Sequence, residues 1–234
     1  RDVLGSRGLG DVYKRQLLEM GKTEITPNTR KALCSLKQNG IKICIATGRP
    51  FVTIPMFEGV VFDAILAFNG SFCVAGEQVV AKCPIPKEDV KKIIENAKRM
   101  ERPVSIATAE EIVANGSDKD LEDYFAIAHH RVNVSEKFEE YVEKDVFQIM
   151  LGCDLEERKY ILEGTKNAKL AAWWDRAVDI IPKEGGKGTA IEQVLAHYKF
   201  SKEEAIAFGD GENDMDMLLS VGKGIAMGLS LIHI

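Results

Sequence analysis

Residues 205–214 read Ala-Ile-Ala-Phe-Gly-Asp-Gly-Glu-Asn-Asp, an uncharged apolar stretch that runs directly into a loop with three carboxylates. The apolar half predicts a short buried strand, and residues 215–220 predict a helix after the loop. Carboxylates crowded at the end of a buried strand repel one another, and a divalent cation relieves that repulsion. Because hard oxygen ligands suit magnesium, the loop is a candidate magnesium site; the alternative is a surface turn rich in turn-forming residues.

The composition indicates a globular protein of one large or two modest domains, with 234 residues, 45% of them hydrophobic and 29% charged. A net charge of -5 and the lack of a basic run argue against nucleic acid as a partner. Five cysteines, an odd number without C-x-x-C spacing, favour reduced thiols and a cytoplasmic protein. The sequence has no apolar run of about eighteen residues, so we expect no membrane-spanning helix and no membrane partner.

The stretch that begins at Thr26 predicts a helix followed by a buried strand. Thr26 is a good N-cap, Pro27 suits the first helical position, and residues 41–46 form an apolar run closed by Thr47-Gly48-Arg49-Pro50. A helix, a short link and an apolar strand predict an α/β layer with a mostly parallel sheet. Ligands of such sheets bind beyond the carboxyl ends of the strands, so we expect Thr47 and Asp210 in equivalent positions.

The middle of the chain predicts an α+β insert within this α/β layer. Residues 64–68 predict a strand, and Asn69-Gly70 predicts a hairpin turn into residues 71–74. Pro84 and Pro182 mark the two ends of the insert. Within it we expect a helix at 87–101, a strand at 103–107, charged helical pieces over 109–143, a strand at 146–152, a helix at 155–165 capped by Asp154, and an antiparallel pair at 170–174 and 177–181.

Three polar groups follow the predicted core elements and suit a phosphate ligand. Thr47 offers a hydroxyl, Gly48 a backbone N–H and Lys187 an ammonium, beside the acidic loop. Lysine at a helix start is unfavourable by roughly 0.3–1 kcal/mol, which indicates an anionic partner for Lys187. The alternatives are a plain turn residue at Thr47 and a solvated lysine at 187. Asp214 is expected to N-cap the helix at 215–220 as well as support the metal.

Two other motifs fail on spacing. A P-loop needs Ser or Thr after its lysine, but Gly188 follows Lys187. An EF-hand that begins at Asp210 needs Gly at its sixth position and Glu at its twelfth, where Met215 and Val221 stand.

The ordered set of motifs resembles the haloacid dehalogenase superfamily, specifically its Cof-type phosphatases. The motifs are Ala46-Thr47-Gly48-Arg49-Pro50, Gly186-Lys187-Gly188, Phe208-Gly209-Asp210-Gly211-Glu212-Asn213-Asp214-Met215 and Gly224-Ile225-Ala226-Met227-Gly228. The resemblance implies a doubly wound core at 17–83 and 182–228 and an α+β cap at 84–181. It also implies magnesium-dependent hydrolysis of a small phosphorylated metabolite, a sugar or cofactor phosphate, through an aspartyl-phosphate.

The resemblance also implies a role for each matching residue. Thr47 and the Gly48 amide would bind the phosphoryl group, and Lys187 would neutralise its charge. The remaining roles are magnesium coordination by Asp210, orientation of the metal's waters by Asp214, phosphate contact by Asn213, and a substrate-side role for Arg49, which is typical of its motif.

The family's first motif, D-x-D-G-T, should stand directly before Leu17-Leu18 and is absent. Val12 and Lys14 occupy the places of its two aspartates, and Asp11 is one residue out of register, which reverses its side-chain direction. We therefore expect residues 1–16 to be a non-native or disordered leader and residues 229–234 a non-native tail. The chain is then a fragment truncated at both ends, without the middle strand of its sheet and inactive as written.

Two further interpretations stay open. The chain could be a phosphate- or nucleotide-binding protein that kept the scaffold and lost the chemistry. It could also belong to a phosphomutase, in which the same core transfers phosphate to a sugar.

Overall fold

The computed structural model describes residues 2–6 as backbone, and residues 24–171, 174–209 and 214–227. Its backbone forms two compact units. The core unit comprises Arg1–Arg49, Thr53–Lys82 and Gly185–Ile234, and the inserted unit comprises Pro50–Val52 and Cys83–Glu184. Both divisions lie close to the boundaries at 84 and 181 that the sequence predicts.

The described strands are β1 Asp2–Ser6, β2 Ile43–Ala46, β3 Ala64–Ala67, β4 Phe72–Ala75, β5 Gln78–Lys82, β6 Val104–Ala107, β7 Ile112–Ala114, β8 Gln148–Gly152, β9 Ala168–Ala171, β10 Ala177–Pro182, β11 Ala205–Gly209 and β12 Lys223–Ala226. The described helices are α1 Pro27–Gln38, α2 Lys87–Arg99, α3 Lys119–Ile127, α4 Phe138–Val142, α5 Arg158–Ile161, α6 Lys187–Tyr198 and α7 Met215–Leu219.

The core unit is built on a seven-stranded sheet in the order β12-β11-β1-β2-β3-β4-β5. The first five strands of that order are parallel, and β4 and β5 continue the sheet as antiparallel hairpins. The two faces carry different helices, because Cys44 of β2 clusters with Ile191 of α6, whereas Ile43 clusters with Leu36 of α1. The predicted doubly wound, mostly parallel α/β core is confirmed.

The prediction that this sheet lacks its middle strand is wrong. Asp2–Ser6 form β1, which pairs in parallel with β11 on one side and β2 on the other. A central strand is stabilised mainly by backbone hydrogen bonds to both neighbouring strands, and it does not need an alternating side-chain pattern. A short segment with scattered glycines can therefore form this strand. The remaining residues of the predicted leader, and the predicted tail at 229–234, lie outside the described residues.

The inserted unit contains a five-stranded antiparallel sheet in the order β7-β6-β8-β10-β9. One sheet face packs with α2, α4 and α5 in a single apolar cluster. Two local predictions were wrong. Ile112–Ala114, in a stretch expected to be helical, form β7, and the helix expected at 155–165 is reduced to Arg158–Ile161. Strand pairing with β6 outweighs local preference in so short a segment.

Local signals placed α1 correctly. The Thr26 hydroxyl accepts a hydrogen bond from the Thr29 amide at 3.1 Å, and Pro27 is the first helical residue. Among the described residues, no helix has both the length and the apolar composition needed to cross a bilayer.

Asp63 joins three segments of the core unit just before β3. Its carboxylate accepts hydrogen bonds from Lys37 Nζ at 2.7 Å, the Ile43 amide at 2.9 Å and Lys42 Nζ at 3.3 Å. The Tyr198 hydroxyl donates to the Asp63 carbonyl at 2.7 Å. Burial by itself raises the pKa of Asp63, but these donors outweigh it and hold the pKa below the ordinary value of 3.8.

Asp63→Asn should lower the free energy of unfolding at pH 7 by about 1–2 kcal/mol, because the carboxylate has charged donors. A carboxyl with a lowered folded pKa stabilises above its unfolded pKa, and this contribution disappears as pH falls through the folded pKa. The difference between wild type and variant should therefore shrink below about pH 4 in urea denaturation series. Glu58→Gln, at a carboxylate 90% exposed, is the control and should cost under about 0.5 kcal/mol. A pH-independent difference for Asp63→Asn would contradict the prediction.

Candidate functional site

Thr47 stands directly after β2, at the carboxyl end of a parallel strand, and is 1% exposed. Its amide donates to the Leu66 carbonyl at 2.8 Å, and its carbonyl accepts from the Asn69 amide at 2.9 Å. Its hydroxyl accepts from the Arg49 amide at 3.2 Å, a tight local turn. The place in the fold agrees with the sequence, and the hydroxyl also makes the turn contact of the alternative interpretation.

The loop that contains Thr47 is held by a strained turn at residues 68–70. The sequence predicted only a hairpin turn there. Phe68, Asn69 and Gly70 all have positive φ angles, of 49°, 55° and 90°. The Phe68 amide donates to the Arg49 carbonyl at 3.0 Å, so the turn and the Thr47 loop fix each other. Strain of this kind in a bulky residue costs of order 1–3 kcal/mol and collects at functional sites.

The same turn reaches the start of α6. A Cβ atom on Gly70 would lie 2.4 Å from the carbonyl oxygen of Gly186, the residue before Lys187. Asn69 Oδ1 would lie 3.1 Å from a Cβ on Gly48. Asn69 therefore belongs to the candidate site although sequence reasoning missed it; the Asn-Gly pair, which tolerates left-handed backbone, was the available signal.

Lys187 is the first residue of α6 and is fully buried, so the alternative of a solvated lysine is wrong. Its Nζ atom lies 2.5 Å from Asp214 Oδ1, and both side chains are 0% exposed. A buried ion pair of this kind persists only when both partners are held in good geometry, because each charge has lost its water.

Asp214 occupies the N-cap position of α7, but its side chain makes no capping hydrogen bond. The prediction that it caps this helix is wrong in that respect. The physical reason is the competing partner, since a charge-assisted bond to a buried ammonium is stronger than a bond to a backbone amide.

Gly209 lets Asp214 approach the end of β11 closely. A Cβ atom at this position would lie 2.6 Å from Asp214 Cβ, closer than a side chain can approach. The Gly209 carbonyl also accepts from the Met227 amide at 2.9 Å, which ties the strand end to the segment after β12. Gly209 is thus the residue that allows Asp214 to lie close to the end of β11.

Arg49 is half-buried, with its Nη1 donating to the Thr53 carbonyl at 3.1 Å. Burial lowers the pKa of Arg49 to about 10. Among the described residues, no carboxylate forms an ion pair with Arg49. The positive charge of Arg49, close to Thr47 in the chain, is therefore not neutralised by a described acidic side chain.

The predicted metal site is only partly within the described residues. Asp210 and Asn213 lie outside them, and among the residues that are described no three acidic, histidine or cysteine side chains could hold an ion together. Asp214 offers carboxylate oxygens, which suit a hard cation, although Oδ1 is engaged by Lys187. Its chemistry fits the predicted ion.

The strand order and the motif loops define a known class of protein. The sequence profile of the haloacid dehalogenase-like hydrolase family matches residues 17–230, and the chain belongs to this family.

Two relatives of this chain and one solved structure carry descriptions that name phosphatases. It is 30% identical over 207 residues to YkrA of Bacillus subtilis (strain 168), described as a candidate phosphatase, covering 87% of this chain and 79% of that protein. It is 27% identical over 226 residues to 5-amino-6-(5-phospho-D-ribitylamino)uracil phosphatase YitU of the same organism, covering 91% and 83%. The solved structure of BT1666 from Bacteroides thetaiotaomicron, among phosphatases of this superfamily, matches with a TM-score of 0.83 at 26% identity, over 98% and 84% of the two chains.

Lys187→Met should cost about 3–5 kcal/mol of unfolding free energy, because it leaves the Asp214 charge buried without its ammonium. The double variant Lys187→Met/Asp214→Leu should lose less than the sum of the two single variants, since no charge is then stranded. Urea denaturation of the four proteins gives this cycle.

The matched control is Lys119→Met, which breaks a surface pair with Asp123 whose lysine is 81% exposed. It should change stability by less than about 1 kcal/mol. Additive losses at Lys187 and Asp214 would show that the two side chains do not interact.

Proposed function

We propose that this chain carries the phosphoryl-binding core of a magnesium-dependent phosphatase that acts on a small phosphorylated metabolite, such as a sugar or cofactor phosphate. Membership of a hydrolase family with phosphatase relatives supports the reaction type. The observation that carries the proposal is the fully buried Lys187–Asp214 pair at the start of α6, beside the turn that holds the Thr47 loop. Five free cysteines support a reducing, cytoplasmic location.

In this proposal each group acts on the charge of the phosphoryl group. The Thr47 hydroxyl and the Gly48 amide donate hydrogen bonds to its oxygens, and Asn213 contacts them. Lys187 and Arg49 supply positive charge, which a buried setting strengthens. The lowered pKa of Arg49 reflects the burial of its positive charge. A bound phosphate would supply a negative charge to pair with Arg49, which the described acidic side chains do not.

Asp210 and Asp214 would hold magnesium, which supplies charge neutralisation at the phosphoryl oxygens when bound. We expect weak affinity for the ion, because the resemblance to the family implies a further carboxylate from the D-x-D-G-T motif, which this sequence lacks. Titration showing tight magnesium binding would contradict this part of the proposal.

The sequence after β1 lacks the nucleophile that the proposed reaction needs. Ser6, the last residue of β1, pairs with Ala46, the last residue of β2. In the sequence, Arg7-Gly8-Leu9-Gly10 comes next, before the first acid at Asp11. In an intact enzyme the first aspartate of D-x-D-G-T would attack phosphorus, and the ester P–O bond would break. The leaving alcohol takes a proton from the second aspartate, and water then cleaves the acyl phosphate. Without these acids we propose that the chain is inactive as written.

A binding-only role is the second candidate, and one observation favours it. If residues 2–6 were foreign to the protein, a regular central strand there would be unexpected, yet β1 pairs along both edges. A phosphate-binding protein would keep Thr47, Lys187 and the sheet while lacking the nucleophile.

Restoring the first motif separates the two candidates. The design deletes residues 7–11 and introduces Val12→Asp, Lys14→Asp, Arg15→Gly and Gln16→Thr, so that D-x-D-G-T follows β1 directly and precedes Leu17. We expect p-nitrophenyl phosphate hydrolysis with magnesium to rise by roughly 10⁴-fold or more over the unaltered chain, the scale of a covalent nucleophile. The same design without Val12→Asp is the control. Ordinary turnover by the unaltered chain would disprove its inactivity, and a folded, inactive design would favour binding alone.

Arg49→Met should separate binding from stability. Removing a desolvated cation should leave the unfolding free energy within about 0.5 kcal/mol of wild type or raise it. Inorganic phosphate should bind about tenfold more weakly in calorimetry, since one charge-assisted contact is lost. Arg30→Met, at a surface pair with Glu24, should leave phosphate affinity unchanged. Unchanged affinity in Arg49→Met would remove Arg49 from the site.

A further inference from the structure

Helix α6 begins without a capping side chain of its own. Its N-cap is Gly186, which has no side chain to accept from the first amides of the helix. The acceptor comes instead from another helix, because Asp216 Oδ2 of α7 accepts a hydrogen bond from the Gly188 amide at 3.0 Å. A carboxylate at this end also interacts favourably with the helix dipole.

Contacts within α7 hold Asp216 in position. Its Oδ1 accepts from the Met217 amide at 2.8 Å, and its carbonyl accepts from the Ser220 hydroxyl at 2.8 Å. A Cβ atom on Gly186 would lie 2.5 Å from Asp216 Oδ2, so a side chain there would displace the carboxylate from this position. The cap is therefore built from two segments that meet only in the folded protein.

Two acids at the start of α7 thus contact two consecutive residues of α6. Asp214 pairs with the Lys187 side chain, and Asp216 holds the Gly188 backbone. We propose that Asp216 is a positioning residue for Lys187: it fixes the rotation and height of the first turn of α6 and so places the ammonium against Asp214. The consequence for phosphate affinity rests on the proposed function.

The same contact determines how the site takes an anion. A glycine-rich helix start normally offers its amides to phosphate, and Gly-Gly-Lys-Gly-Thr resembles such a start. Here the Gly188 amide is engaged by the protein's own carboxylate. The phosphoryl group is then bound through the Lys187 side chain and the Thr47 loop, and the Gly188 amide takes no part.

The test compares Asp216→Ala, Asp216→Asn and Ser201→Ala in the full chain. Asparagine keeps an oxygen acceptor for the Gly188 amide, and alanine removes it. Ser201→Ala breaks the capping box with Glu204 in the turn before β11 and is a matched loss of a cap elsewhere in the core unit. Three quantities are measured by NMR and calorimetry: hydrogen exchange of the Gly188 amide, the Cε–Hε signal of Lys187, and the affinity for inorganic phosphate with magnesium.

In Asp216→Ala, exchange at Gly188 should accelerate roughly fivefold to tenfold, the scale of one lost cap. The Lys187 signal should move towards the position of a mobile lysine, and phosphate should bind several-fold more weakly. Asp216→Asn should restore all three, and Ser201→Ala should lower the melting temperature without moving any of them.

A melting-temperature loss in Asp216→Ala with an unchanged Lys187 signal would overturn the proposal, because the cap would then be merely structural. Failure of the wild-type chain to bind phosphate would count against the proposed function alone. The Lys187 signal and Gly188 exchange would still decide the role of Asp216.

Discussion

The positions of the neighbouring backbone segments of the core depend on the buried ion pair between Lys187 and Asp214. Two charges without water are stable only when the backbone presents them to each other without adjustment. The lysine is therefore the first residue of a helix, and the aspartate lies directly before another. Gly209 allows the aspartate to approach the strand end, and Asp216 secures the helix that carries the lysine.

Sequence reasoning recovered the parts of this arrangement that depend on local chemistry. Thr47 after an apolar strand, Pro27 after an N-cap threonine and the apolar strand β11 each carry their own signal in neighbouring residues. The two unit boundaries follow from prolines and a change in pattern. Such features need no knowledge of what packs against them.

The remainder depends on partners that are distant in sequence. Asp214 follows the rule for an N-cap residue, yet its side chain bonds to a lysine 27 positions away. Asp2–Ser6 and Ile112–Ala114 become strands because neighbouring edges accept them, and neither has a convincing pattern of its own. The sequence predicts a turn at Asn69, and this is correct. The packing of Asn69 against Gly48 is visible only in the three-dimensional structure.

Under the proposed function, the groups that would hold a phosphoryl group differ from the group that would react with it. The groups that would neutralise charge come from the ends of β2, β11 and the start of α6, and they are fixed by contacts among themselves. The group that would form a covalent bond belongs to the D-x-D-G-T motif of the family, which this sequence lacks. Absence of the nucleophile would remove the covalent step and leave the charge-neutralising groups in place, so binding of an anion and its turnover can be tested separately.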